Sequence, residues 1–267
     1  MVKFSYHIFR LFFTLSKHIP PFQNLFRLLR FFSSRPTRES INLLETAIED
    51  YYSKNQKSNL VYYKNCLQKE YNEIIEFDLG IYFRKWDELL PLERKLIDLS
   101  YGKILDIGSC TGYYFPYLME KGSTTGIEIS TIINNIARKN GIKNNIVGDV
   151  FKYKFDQKFD TITLIGNDIA LSGTLFRLKK LLKKLARILN PEGQVLLSIR
   201  QIRTLKYWHV VFTPYYDNQF GIPVKYLFLN VDYFKKIANK MGFRAITLGK
   251  DESTGKLFYL VRLVKLK

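Results

Sequence analysis

The sequence predicts an α/β fold built on a doubly wound parallel sheet. Three observations carry that reading. From residue 103 onward, short apolar runs alternate with amphipathic helical stretches, the pattern of strands joined by crossover helices. Four runs finish at a polar residue, Asp106, Glu128, Asp149 and Asn167. The first run opens into a turn of small residues, Gly108-Ser109-Cys110-Thr111-Gly112, as needed where backbone must approach a ligand closely.

The elements follow in order. Lys103 to Ile107 is a strand, and a helix runs from about Gly112 to Lys121. Thr124 to Glu128 is the second strand. Its terminal acid lies 20 residues beyond Gly108, where a carboxylate accepts from both hydroxyls of a ribose. Ser130 caps a helix that Gly141 ends. Asn145 to Val147 and Phe159 to Ile165 are strands three and four. Leu175 to Leu189 is a long helix: Leu175, Leu178, Leu182, Leu185 and Leu189 face inward, and Arg177, Lys180, Lys183, Lys184 and Arg187 face away. The turn Asn190-Pro191-Glu192-Gly193 leads into a fifth strand, Gln194 to Ile199. Tyr207, His209 and Val211 alternate within an insertion near 203–230, read as a hairpin that covers a substrate. A helix from Val231 to Met241 and strands at Phe243–Leu248 and Leu257–Val264 complete the chain.

Two extensions precede this body, giving a division into 1–36, 37–102 and 103–267. Residues 37–102 read as a helical cap. Thr37 or Ser40 caps a helix carrying Ile41, Leu44, Ile48 and Tyr51; another helix is expected from about Val61 to Ile75, and a third follows Pro91. Tyr71, Tyr82 and Trp86 are either the mouth of a ligand site or ordinary core and surface aromatics. Residues 1–36 form a basic amphipathic helical arm. The first acid is Glu39, and Lys3, Arg10 and Lys17 recur every seven residues opposite Phe4, Ile8, Phe9, Phe12 and Phe13. Three readings stand: a helix lying on an anionic membrane through residues 1–35, an organelle transit peptide, or a helical arm packed on its own domain or a second subunit. No run approaches the ~20 apolar residues of a membrane span.

Composition narrows the class. The chain has 267 residues, 46% of them hydrophobic, which excludes disorder throughout. Basic residues outnumber acids 42 to 24, so an anionic neighbour is favoured. Two cysteines, Cys66 and Cys110, are too few for a disulfide framework and suggest a reducing, cytoplasmic setting. No metal is expected, since no His/Cys/carboxylate group has ligand spacing. The oligomeric state is left open.

The order Leu-Asp-Ile-Gly-Ser-Cys-Thr-Gly (105–112), Gly-Ile-Glu-Ile-Ser (126–130), Gly-Asp-Val (148–150), Phe-Asp-Thr-Ile (159–162) and Leu-Asn-Pro-Glu-Gly-Gln-Val (189–195) resembles the class I S-adenosylmethionine-dependent methyltransferases. The resemblance implies a Rossmann-like seven-stranded sheet with an antiparallel final strand, and S-adenosyl-L-methionine as cofactor. It assigns the methionine part to Asp106 and the turn Gly108, Ser109, Cys110 and Gly112, the ribose to Glu128 beside Ile129, and the adenine to Asp149 and Val150. It puts Asn167 near the methyl group and substrate. Cys110 stands where the family usually has a glycine. Candidates for a catalytic or substrate-binding group are Asn167, Asp168, Arg200 and His209. The expected acceptor is a small or lipid-like molecule.

Rivals share some of these residues. A nicotinamide dehydrogenase would need glycine at 113, where Tyr113 stands. An aminopropyl transferase or a non-catalytic tethering module would keep the same cofactor acids. A nucleic-acid substrate draws on the basic charge alone, since the Asn167-Asp168-Ile169-Ala170 segment lacks the Pro-Pro-aromatic loop of base-methylating relatives.

Overall fold

A computed structural model describes residues 42–66, 73–202 and 205–266. Residues 1–36, and with them every reading of the arm, lie outside the described residues, as does Tyr71.

Seven strands form the main sheet. They are β3 (Gly102–Ile107), β4 (Gly122–Glu128), β5 (Asn145–Val147), β6 (Phe159–Leu164), β7 (Leu189–Gln201), β11 (Phe243–Asp251) and β12 (Leu257–Lys265). Their spatial order is β11-β12-β7-β6-β3-β4-β5. The pairs β5–β4, β4–β3, β3–β6 and β6–β7 are parallel; β12 runs antiparallel to both β7 and β11. The expected doubly wound sheet with a reversed final strand is therefore present.

Both faces of the sheet are covered. Along β7, Val195, Leu197 and Ile199 join the core under α5 (Leu175–Ile188) and α6 (Val231–Lys240), while Leu196 points to the opposite face. There it meets Leu92, Leu96 and Ile97 of α2 (Pro91–Asp98) and Leu118 of α3 (Phe115–Met119). This two-sided burial explains why the central strands read as continuous apolar runs. In α5, Leu178, Leu182 and Leu185 are fully buried, as the helical spacing predicts. Arg177 and Lys184 depart from the expected outward face: Arg177 lies 4.1 Å from the Phe151 ring centroid, and Lys184 donates to the Tyr153 carbonyl.

The helix expected over 61–75 is absent. Leu60–Cys66 is strand β1 and Glu73–Phe77 is strand β2, an antiparallel pair. They join β8 (Tyr207–Tyr216) and β10 (Val224–Leu229) in a second sheet of order β10-β8-β1-β2, with short β9 (Gln219–Phe220) on β8. The hairpin expected in the insertion is the β8–β10 pair. Helix α1 (Asn42–Tyr52) packs on α4 (Thr131–Lys139) beside this sheet through Ala47, Ile48, Ile133 and Ile136. The region upstream of β3 is thus mixed helix and strand, and its strands are completed by the insertion.

Candidate functional site

The parallel topology brings the carboxyl ends of β3, β4, β5 and β6 to one rim. Such a rim, beside the point where crossovers reverse direction, is where open α/β sheets bind ligands.

The β3 end supplies Asp106, 2% exposed. Its Oδ1 accepts from Thr163 Oγ1 at 2.7 Å, and Oδ2 has no partner among the described residues. Backbone contacts help fold the turn after it: Gly108 N donates to Ile127 O (3.0 Å) and Gly112 N to Ser109 O (2.9 Å). Gly108 has φ +76°, and a Cβ there would lie 2.7 Å from Asp168 Oδ2. Asp168 therefore faces the turn directly. Ser109 Oγ donates to Asn145 Oδ1 at 2.7 Å and ties the turn to β5.

Cys110 adopts φ +51°, the left-handed region. That conformation explains why glycine is usual here, and it costs an L-residue roughly 1–2 kcal/mol. Burial, then Glu128, pushes its thiol well above the ordinary range. Cys110 is thus a packed small residue, in contact with the α1 cluster.

Glu128 ends β4. Its Oε2 accepts from Cys110 N (3.1 Å) and its Oε1 from Ser130 N (2.8 Å). Burial raises its pKa, opposed by the backbone N–H groups of Ser130, Cys110 and Ile129. Ser130 also caps α4, accepting from Ile133 N at 3.2 Å, and donates its hydroxyl to Glu45 of α1. Replacing Ser130 with alanine removes both bonds and leaves a buried carboxylate short of a donor. A loss of about 2 kcal/mol is expected in urea unfolding; an unchanged midpoint would contradict this linkage.

Asp149 follows β5. Its Oδ1 accepts from Phe151 N at 2.8 Å, forming a turn that presents Val150 against the main core.

At the β6 end, Asn167 has φ +72°. Its N–H donates to Ser198 Oγ (3.0 Å) and its Oδ1 accepts from Arg200 N (2.9 Å). Asn167 therefore pins the β6 end to β7. Next to it, Asp168 is raised well above the usual carboxylate range by burial, then by Asp106 and Glu128. Asp106 itself is pushed up to about 7 by burial, with Glu128 adding to it and Thr163 opposing. Three carboxyl groups on one rim thus repel one another, and a cationic ligand would relieve that repulsion.

The remaining candidates separate. Arg200 sits beside this rim, 5.9 Å from the Phe228 ring centroid, its pKa lowered by burial and held up by Glu73. His209 is carried elsewhere. Its strand neighbour Val210 is the register partner of Tyr226, so alternation turns His209 to the opposite sheet face, against Tyr207. Burial, then Lys225, lowers it to about 4. Trp86 packs on Tyr117, whereas Tyr82 joins the aromatic face above the rim. Sequence reasoning missed Thr163, Ser198 and Glu45, whose roles depend on contacts across 57, 31 and 85 residues. Among the described residues, no group of His, Cys, Asp or Glu is placed to hold a metal.

The strand order, the single reversed strand and the glycine turn facing a rim of acids define the class I methyltransferase fold. Residues 105–197 match the family model described as "Methyltransferase domain". A S-adenosylmethionine-dependent methyltransferase from Bacteroides fragilis, solved with S-adenosyl-L-homocysteine, superimposes with a TM-score of 0.74 at 23% identity. The match covers 88% of this chain and 98% of that one. The PH0226 protein from Pyrococcus horikoshii OT3 gives a TM-score of 0.52 at 22% identity, covering 65% and 88%. At these identities the likeness is one of fold. Comparison with curated protein sequences gives no match.

Proposed function

We propose that the protein transfers a methyl group from S-adenosylmethionine to a small-molecule or lipid-like acceptor. The observation that carries this reading is the rim: a turn bounded by Gly108 and Gly112 beside two buried carboxyl groups, Asp106 and Glu128, and the half-buried Asp168, with one oxygen of Asp106 unpartnered. The donor fits it chemically. It brings a sulfonium and an ammonium to the carboxyl groups, and two ribose hydroxyls as donors for Glu128. When bound, it supplies an electrophilic methyl group.

The chain's own task is then positional. Asp106 and the 108–112 turn hold the amino-acid end, Glu128 the ribose, and Asp149 with Val150 the adenine edge. Asn167 keeps the β6 end rigid against β7 and so fixes where Asp168 stands. Holding nucleophile and methyl carbon in line within ~3 Å is an entropic contribution worth several powers of ten. The division into an arm (1–36), an extension (37–102) and a catalytic body (103–267) is part of this proposal, with the 203–230 insertion on the substrate side.

The test is thermal unfolding with S-adenosylmethionine, S-adenosylhomocysteine and NAD. A ligand at ~100 times its dissociation constant adds about 2.7 kcal/mol, a rise of about 5–10 °C at this size. We expect a rise with the two adenosyl ligands only, and its loss in Glu128→Ala. A rise with NAD alone would overturn the reading.

The arm's sequence supports docking of this enzyme at an anionic membrane surface, through Phe9, Phe12 and Phe13 between Lys3, Arg10 and Lys17. Among the described residues no helix is long and apolar enough to cross a membrane. Changing the three phenylalanines to serine is expected to abolish co-sedimentation with anionic vesicles, and unchanged sedimentation would remove this element.

A further inference from the structure

The second sheet faces the rim with an aromatic surface, and the carbonyl of Tyr82 on that surface accepts from Thr111 of the glycine turn. Five rings follow one another in contact: Tyr82 to Phe77 (5.9 Å between centroids), Phe77 to Tyr62 (5.4 Å), Tyr62 to Phe212 (5.9 Å) and Phe212 to Tyr226 (5.0 Å). They come from the 3₁₀ turn at Leu79–Phe83 and from β2, β1, β8 and β10, so four strands and a turn converge on one spot. All five side chains are half-buried and retain accessible surface. Among the described residues, the hydroxyls of Tyr62, Tyr82 and Tyr226 make no hydrogen bond.

One acid stands beside these rings: β10, which carries Tyr226, packs on the 3₁₀ turn Asp168–Ser172. Burial raises all three tyrosines, and the Asp168 carboxyl raises Tyr226 further. Lys64 and Arg200 also stand by this sheet: Lys64 lies 2.8 Å from Glu73, and Arg200, lowered by burial, is held up by the same acid. Asp168 connects the enclosure to the donor rim, since it stands against the bare face of Gly108 on one side and acts on Tyr226 on the other.

We infer that the acceptor is an amine, bound as its ammonium among Tyr62, Tyr82, Phe212 and Tyr226 with the carboxylate of Asp168 as its counter-charge. This rests on the methyl-transfer reading above. Ring faces carry negative quadrupole density, and a cage of them holds an ammonium group through cation–π attraction that strengthens on desolvation. A neutral alcohol or phenol would gain nothing from Asp168 beyond one hydrogen bond. An anionic acceptor would find no counter-charge in Asp168.

The same geometry handles the proton. An ammonium has no lone pair and cannot attack a methyl carbon. Its N–H bond breaks with the bonding pair left on nitrogen as the lone pair, and the proton forms an O–H bond on the Asp168 carboxylate. Burial and the neighbouring Asp106 and Glu128 charges suit Asp168 to hold that proton.

The test uses the full chain saturated with S-adenosylhomocysteine and a pair of isosteres, choline and 3,3-dimethylbutan-1-ol, which differ in charge and hardly in shape. Isothermal calorimetry is expected to show choline bound at least about tenfold more tightly than the alcohol. Tyr226→Phe keeps the ring and should retain that preference. Tyr226→Leu and Asp168→Asn should each reduce choline binding about tenfold or more, in protein whose melting curve remains cooperative. Equal binding of the two isosteres, or binding of neither by protein that S-adenosylhomocysteine still stabilises, overturns the amine assignment and leaves methyl transfer standing. Failure of S-adenosylhomocysteine to stabilise the protein overturns the reading on which the assignment rests.

Discussion

Gly122→Ala is expected to lower the melting temperature by about 6–12 °C, the equivalent of about 3 kcal/mol at this chain length. Gly122 opens β4 directly opposite Gly102 at the start of β3. A Cβ on Gly122 would lie 2.0 Å from the Gly102 carbonyl oxygen and 2.9 Å from its carbonyl carbon and nitrogen. The obstacle is backbone on a central parallel pair, so no rotamer change relieves it. The strands must move apart, and β3–β4 is the pair that spaces Asp106 from Glu128. Total stabilities run only about 5–15 kcal/mol, so the loss is a large share. Differential scanning fluorimetry suffices to check it; a shift within about 2 °C of the parent would mean that the pair opens more easily than its geometry allows.

The second large effect is an inverted pH response. Asp106 titrates at about 7 in the folded protein and near 4 when unfolded. Between those values the folded state holds a proton that the unfolded state has released. Stability contributed by this group therefore falls as pH rises from about 4 to about 7 and is flat above. Glu128 and Asp168 are raised too and act in the same direction. His209 opposes them: it titrates at about 4 folded against about 6.5 unfolded, so its contribution is lost as pH falls through that window. In a His209→Gln background the ligand-free protein should melt about 5 °C or more higher at pH 5 than at pH 7.5, and Asp106→Asn should reduce the difference. S-adenosylhomocysteine, whose ammonium favours the ionised rim, should bind more tightly as pH rises through about 7. Affinity independent of pH from 6 to 8 would show that these carboxyl groups do not face the ligand.

The main sheet was legible because its signals are local. The Asp106–Gly112 turn, the Ser130 cap and the leucine stripe of α5 each lie within one strand-turn-helix unit, and each appears where the pattern puts it. Asn145–Val147 is recovered residue for residue. The second sheet was half legible. Alternation at Tyr207, His209 and Val211 revealed β8, but Val61-Tyr62-Tyr63 and Ile74-Ile75 read equally well as a helical stripe. What makes them strands is pairing with β8, as in Val61 opposite Tyr215, and no local window contains both partners. The site divided the same way. Acids at strand ends were visible from their spacing, whereas the aromatic face exists only once five separated rings converge.

That long-range pairing also sets an order of assembly. β1 and β2 leave the ribosome first of all the described strands, and β1 then lacks its β8 partner until roughly 150 more residues have been made. At ~5–20 residues per second the wait lasts about 8–30 s. Meanwhile β1 offers an open edge rich in aromatic residues, a template for pairing with another nascent chain. The parallel strands β3 to β7, which carry the donor rim, are all made before that wait ends, whereas α6, β11 and β12 follow it. The sheet that faces the donor rim is therefore completed only after the strands of the rim itself have been made.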